Sequence, residues 1–181
     1  QDKYPFNLPP SAELNYAIKA SIRGLVLDGT GSIQWTGAHD KYRLLFETRA
    51  ALTGTLLMEN SEGKIDHFGF APDVFSVKRF RKEAVSILFD RNASQVNFPG
   101  NAPPHLLQGG EQDRLSVLWQ LLSVARAAPA NFRPGSAWHF YVLGQRDGEA
   151  WTFQVSEAQR LRTPLGQVDV LHVVRMPPEN S

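Results

Sequence analysis

The chain has 181 residues, a formal net charge of +1 from 19 basic and 18 acidic side chains, and no cysteine. This length suits one domain that buries a substantial core without disulfides. The near-neutral charge argues against a nucleic-acid-binding protein, which needs a clear excess of Lys and Arg for phosphate contacts, and the lack of cysteine excludes disulfides, cysteine nucleophiles and thiolate metal sites.

Apolar and polar residues alternate along most of the chain, which is the pattern of half-buried strands. The alternation begins with Leu14, Tyr16 and Ile18, and Asp28-Gly29 then predicts a tight turn into a second strand that carries Trp35. It recurs in five further segments, at residues 42–48, 85–89, 138–142, 151–155 and 168–174. These segments predict an antiparallel, mainly β protein.

Residues 111–127 break this rhythm and predict one long helix, with the acids Glu111 and Asp113 near its start. Its polar residues form a single narrow stripe: Ser116, Gln120 and Ser123. A helix that is apolar around most of its circumference must be enclosed on several sides. We therefore predict a mainly β (α+β) fold, in which a curved antiparallel sheet or partial β-barrel wraps around one long, mostly buried helix, in a single domain spanning residues 1–181.

Two turns are predicted between the later strands. At Arg146–Glu149 the Asp147-Gly148 pair can supply the positive φ angles of a primed hairpin turn. Thr163–Gly166 predicts a second turn, before the last strand.

Motifs that carry chemistry are missing from the sequence. The five histidines show no spacing that places two imidazoles on one metal ion: His39, His67, His105, His139 and His172. There is no nucleophile elbow, phosphate-binding loop or dinucleotide fingerprint, and no apolar run is long enough to span a membrane. We expect no catalytic residues, no metal site and no cofactor.

The string Gly109–Arg114 is the most distinctive local feature, and it contains Glu111, Asp113 and Arg114. Two interpretations are open. The favoured one is that the carboxylates cap the helix and interact with its dipole. The other is a polar cluster beside a cleft, with Glu111 or Asp113 as a general base.

Two further sets of residues are candidates for ligand binding. The densest basic run in the chain contains Lys78, Arg79, Arg81 and Lys82. It is either a solvated strand end that discourages aggregation or a cationic rim for phosphate or anionic lipid headgroups. The aromatic residues of the helix and late strands are either core or the lining of a site for an apolar ligand: Trp119, Trp138, Phe140, Trp151 and Phe153.

The compartment is expected to be the bacterial periplasm. A chain without cysteine suits export into an oxidising envelope, and Gln1–Pro5 has the character of a mature N-terminus left after removal of a signal peptide. The last predicted strand has little after it, so further strands are expected beyond Ser181.

Four segments resemble one known family: Pro5–Leu14, Lys78–Lys82, Gly110–Arg114 and Trp151–Phe153. The family is an uncharacterised group of exported Gram-negative bacterial proteins, catalogued as domain of unknown function family 3108, and the resemblance covers nearly the whole chain. It implies export and additional C-terminal strands, and it supplies no catalytic residues. The predicted architecture is also similar to that of periplasmic lipoprotein carriers of the LolA and LolB type, although a shared fold does not fix function.

Three functional hypotheses follow. The leading one is a non-enzymatic periplasmic binding protein that holds an amphiphile, such as a lipid or a lipoprotein acyl chain, in the concave face of the sheet. The second is an envelope assembly or protein-interaction module without a ligand cavity, recognisable by an exposed apolar patch or open sheet edge. The third and weakest is a hydrolase of cell-wall or polysaccharide material, which would need a second carboxylate opposite Glu111 or Asp113.

Overall fold

The computed structural model describes residues 2–22, 25–51, 53–100, 102–164 and 166–177. Gln1, the expected mature start, and residues 178–181, after which further strands are expected, lie outside them, as does Leu165 in the second predicted turn. The strands form two sheets, and one α-helix lies between them.

Sheet A is a curved antiparallel meander of eight strands, each hydrogen-bonded to the next in chain order. Its strands are β1 Ala12–Ile22, β2 Leu25–Ala38, β3 Lys41–Ala50, β4 Gly54–Asp66, β5 Gly69–Arg79, β6 Val85–Asp90, β7 Gln95–Asn97 and β8 His105–Leu106. One face carries the alternate apolar residues that the sequence predicts, because successive side chains of a strand point to opposite faces.

Sheet B forms a half-barrel of four strands in the order β12, β11, β10, β9. Its strands are β9 Gln112–Asp113, β10 Ala137–Leu143, β11 Gly148–Thr163 and β12 Gly166–Met176. The pairs β10–β11 and β11–β12 are antiparallel, whereas β9 pairs with β10 in parallel. The two sheets and the single helix confirm the predicted fold class.

The helix α1 spans Ser116–Ala127, so the predicted start at residue 111 is wrong by five residues. Gln112 and Asp113 instead pair with Val142 and Leu143 as β9. The cause is local, because a carboxylate that accepts backbone N–H groups marks the residue before a helix rather than one inside it.

Two hydrophobic cores lie on either side of α1. The sheet A core contains the apolar faces of β2 to β7 together with Leu115, Trp119 and Leu143. The sheet B core contains residues of β10 and β11 together with Val117 and Val124 of the helix. The helix therefore packs against both sheets, as predicted from its apolar composition.

The polar stripe of α1 faces inward, which reverses the usual arrangement of a helix on a core. Ser116, Gln120 and Ser123 are buried, while Leu118 and Leu122 are 46% and 44% exposed.

Two turn predictions require correction. Asp28-Gly29 does not form a turn but lies within β2, where Gly29 pairs with Ile18 and with Ala50. A Cβ on Gly29 would lie 2.6 Å from the Arg49 carbonyl oxygen, so the glycine serves close strand approach.

The hairpin at Arg146–Glu149 is confirmed in position, with the Gly144 N–H donating to the Asp147 carbonyl at 2.7 Å. Neither Asp147 nor Gly148 has a positive φ, so the predicted primed turn is wrong and the loop is longer than two residues. The turn before β12 is confirmed by the pairing of Thr163 with Gly166, which has φ of 109°.

Candidate functional site

The carboxylates at the start of α1 bind backbone groups rather than one another. Glu111 accepts the N–H groups of Gln108 and Gly109 at 2.5 and 2.9 Å. Asp113 Oδ1 accepts the N–H groups of Leu115 and Ser116 at 2.8 and 2.7 Å. The Asp113 contacts satisfy N–H groups at the start of α1, as the capping interpretation expects, whereas Glu111 binds the loop that precedes β9 and does not cap the helix. Both carboxylates are buried.

Arg114 does not join them. Its side chain is exposed, whereas Glu111 and Asp113 are 2% and 0% exposed. The three residues are thus neighbours in sequence but do not converge on one cleft.

Asp113 is also the end of a buried hydrogen-bond chain that connects it to two neighbouring strands of sheet A, β4 and β3. Ser61 Oγ donates to Asp113 Oδ2 at 2.5 Å, and the Tyr42 hydroxyl lies 2.9 Å from Ser61 Oγ. Burial raises the pKa of Asp113 to about 6, against the hydrogen bonds that favour its charged form. Burial, and then the charge of Asp113, raise the pKa of Tyr42 well above its ordinary value.

Gln120 explains why the polar stripe of the helix faces inward. Its Oε1 accepts the Phe70 N–H at 2.9 Å and its Nε2 donates to the Phe68 carbonyl at 2.8 Å. Gly69 between them has φ of 107° and is so close to the amide that a Cβ would collide with it. The side chain therefore satisfies backbone groups where β5 begins, beneath the helix.

The predicted aromatic site residues are divided between the two cores. Trp119 lies in the sheet A core with its ring centroid 6.4 Å from that of Trp35. Trp138, Phe140 and Phe153 lie in the sheet B core.

Trp151 is half-buried beside the sheet B core. The Arg175 guanidinium carbon lies 3.9 Å from the centroid of the Trp151 ring. The Trp151 indole N–H donates to Glu149 Oε1. The five predicted aromatic residues therefore lie on both sides of α1, and they do not line one common ligand site.

The predicted basic residues lie at the end of β5 and in the turn after it. All four are exposed: Lys78, Arg79, Arg81 and Lys82. Lys78, Arg79 and Arg81 line a hollow of about 320 Å³. Within the described part of the chain, their only side-chain hydrogen bond runs from Arg79 Nη1 to Gln145 Oε1, at 3.4 Å. None of these four basic residues belongs to either hydrophobic core, where the predicted aromatic site residues pack.

An apolar groove that the sequence does not predict lies between α1 and β12. It has a volume of about 340 Å³ and is lined by Leu118, Leu121, Leu122, Ala125, Pro129, Phe132, Leu171 and Val173. It opens where the helix turns leucines away from both cores. The excess of leucine around the helix was the available signal, but it does not reveal which leucines stay exposed.

No helix within the described ranges is both long and apolar enough to cross a membrane. No curated protein and no solved structure matches the chain, so the similarity to lipoprotein carriers stays a prediction. A family model described as "Protein of unknown function (DUF3108)" matches residues 15–181. The match confirms the resemblance found in the sequence, and the chain belongs to this family.

Proposed function

We propose that the protein is a non-enzymatic binding protein of the bacterial periplasm that holds the acyl chain of an amphiphile in the groove between α1 and β12. The observation that carries this proposal is the groove itself, because all eight of its lining residues are apolar. Two of them, Leu118 and Leu122, remain almost half exposed, whereas the other apolar residues of the helix are buried or half-buried.

The chemistry of the lining favours an aliphatic chain over a polar ligand. A polar molecule in this groove would lose hydrogen bonds to water and gain none from the lining side chains. A volume of about 340 Å³ lies within the range of small-molecule sites in proteins. Periplasmic location is part of the proposal, supported by the lack of cysteine and by the exported character that the family resemblance implies.

The proposed site differs from the one expected from the sequence. The aromatic residues pack in the two cores, so we assign the acyl chain to the leucines that face away from those cores. The helix then forms one wall of the site, and Leu171 and Val173 of β12 form the other.

The test is binding of a fluorescent fatty acid to the purified protein and to the variant Leu122→Glu. A carboxylate in the groove must lose its hydration when the acyl chain enters, so we expect at least about tenfold weaker binding. Leu88→Glu is the matched control, because Leu88 is 57% exposed on β6 and lies outside the groove. We expect this control to bind as the wild type does.

Absence of uptake by the wild type, or equal binding by Leu122→Glu, would contradict the proposal. Native mass spectrometry of protein purified from its own envelope gives an independent result, since a bound acyl lipid appears as a mass increment. In the variant Leu122→Glu that increment should be lost while the circular dichroism spectrum is unchanged.

An envelope interaction module is the second candidate function, and the edge strand β12 favours it. Within the described residues, β12 pairs only with β11 and leaves eleven residues along an open edge. Val168, Leu171, Val174 and Met176 on this strand are each more than a third exposed. Long apolar edges are sites where another chain can add a strand. A protein that takes up no fatty acid would direct attention to this edge.

A further inference from the structure

The turn after β5, taken together with the last two residues of that strand (residues 78–82), combines positive charge with an exposed aromatic ring. Phe80 is 40% exposed, and it is flanked in the sequence by Lys78, Arg79, Arg81 and Lys82. Across the described ranges, none of these four cations lies within 4 Å of a carboxylate oxygen. The turn therefore concentrates charge that the protein itself does not neutralise through ion pairs.

The turn is ordered by its backbone. The Phe80 N–H donates to the Leu56 carbonyl at 2.8 Å, and the Lys82 N–H donates to the Arg79 carbonyl at 3.0 Å. Arg81 has φ of 56°, in the left-handed region that non-glycine residues rarely occupy. This conformation places the Arg81 guanidinium carbon 4.9 Å from the centre of the Phe80 ring.

The hollow beside the turn combines cationic side chains with apolar ones, which suits an anion that carries an apolar part. Six residues line it: Thr55, Met58, Lys78, Arg79, Phe80 and Arg81. Three of these are cations and none is acidic. Glu59 does not line the hollow. Burial raises the pKa of Glu59, and the charges of Arg79 and Arg114 partly offset that rise.

An aromatic ring set among several cations suits the boundary between lipid headgroups and acyl chains. The ring enters the apolar side of that boundary, and the long basic side chains keep their charges among the headgroups. Each Lys or Arg near an anionic surface strengthens attachment by about 1 kcal/mol, which is a factor of about five. Several such cations in one segment therefore make a substantial contribution to attachment.

We propose that the turn after β5 attaches the protein to an anionic lipid surface, with headgroup phosphates among Lys78, Arg79 and Arg81 and the Phe80 ring in the interface. The proposal goes beyond the acyl-chain groove and does not depend on it, because none of these residues lines that groove. It concerns where the protein binds a membrane, not which molecule it carries.

The experiment is co-sedimentation of the full chain with vesicles at fixed ionic strength. Vesicles of phosphatidylcholine alone are compared with vesicles that also contain phosphatidylglycerol. We expect binding to the anionic vesicles only, and about 25-fold weaker binding by Lys78→Gln/Arg81→Gln, from a factor of about five for each cation.

The matched control is Lys41→Gln/Lys64→Gln, which removes the same net charge. These two exposed lysines pair with each other across β3 and β4, away from the turn. The control variant should change vesicle binding by less than about twofold if residues 78–82 form the membrane-binding surface. Phe80→Ser should weaken binding to the anionic vesicles while the net charge stays the same.

Three results would overturn the proposal. One is equal binding to neutral vesicles, and another is an equal loss of binding in the Lys41→Gln/Lys64→Gln control. The third is calorimetric binding of inorganic phosphate that requires Lys78 and Arg81, in a protein that binds neither kind of vesicle. That result would identify a site for a soluble anion instead.

Discussion

Asp113 is a fully buried carboxylate at the point where sheet B meets sheet A. It belongs to β9, and it accepts hydrogen bonds from the N–H groups of Leu115 and Ser116 at the start of α1. It also accepts a hydrogen bond from the Ser61 hydroxyl of β4. Those hydrogen bonds favour the ionised form, but burial outweighs them and raises the pKa of Asp113 to about 6. Asp113 therefore connects β9, α1 and β4. Its carboxyl group gains or loses a proton near pH 6.

This equilibrium predicts a pH-dependent stability that Asp113→Asn removes. An unfolded Asp has a pKa of about 3.9, so between about pH 4 and pH 6 the folded state holds a proton that the unfolded state has lost. The free energy of unfolding attributable to Asp113 therefore falls as pH rises through this window, by up to about 3 kcal/mol, and is constant above it. The Asn side chain can accept the same two N–H groups and donate to Ser61, without the charge.

The measurement is urea unfolding of the wild type and Asp113→Asn from pH 4 to pH 7. The variant should gain stability relative to the wild type as pH rises, with the difference growing between pH 4 and pH 6. Asp90→Asn is the control, because Asp90 is an exposed carboxylate that accepts the N–H groups of Asn92 and Ala93. A difference for Asp113→Asn that does not vary with pH would show that Asp113 does not titrate in this range.

At the scale of single elements, the strands could be predicted from the sequence, but the rotation of the helix about its own axis could not. Alternating apolar residues in β3, β6 and β10 report one buried face directly, so the pattern and the structure agree. The inward stripe of α1 depends on Gln120 binding the backbone around Gly69, a partner about fifty residues away in sequence. Side-chain periodicity carries no information about such a partner.

The same limit explains the missed groove. The leucines of α1 look alike in sequence, but the hydrogen bonds of Gln120 fix the rotation of the helix and thereby decide that Leu118 and Leu122 face outward. Likewise, Asp28-Gly29 has the composition of a turn, and only the neighbouring strand at Arg49 shows why a glycine is needed inside β2.

Because the polar stripe of α1 faces inward, the buried Gln120 is expected to matter more for stability than Leu122, two residues along the helix on the exposed face. Gln120→Ala leaves the Phe70 N–H and the Phe68 carbonyl without their partner, which costs about 2–4 kcal/mol. Leu122→Ala should cost less than about 1 kcal/mol, because that side chain is 44% exposed. Urea unfolding of both variants measures the two free energies. An equal or larger loss in Leu122→Ala would show that the helix is rotated from the orientation described.

At the scale of the whole molecule, the two sheets share side chains across α1. Leu143 of sheet B lies in the sheet A core with Trp119 of the helix, while Val117 and Val124 of the same helix lie in the sheet B core. Separating the sheets would expose parts of both cores and break the bond between Ser61 and Asp113. Elements coupled in this way are expected to unfold together.

The four tryptophans allow this expectation to be measured, because Trp35 and Trp119 report on the sheet A core and Trp138 and Trp151 report on the sheet B core and its border. The variants Trp35→Phe/Trp119→Phe and Trp138→Phe/Trp151→Phe each leave one pair as the fluorescent probe. In each variant, the fluorescence midpoint in urea should coincide with the midpoint from far-ultraviolet circular dichroism, which monitors both sheets. Comparing probes within one protein removes the effect of the substitutions on stability. Separate midpoints would instead make the sheets two independently folding units, and the prediction of a single domain over residues 1–181 would be wrong.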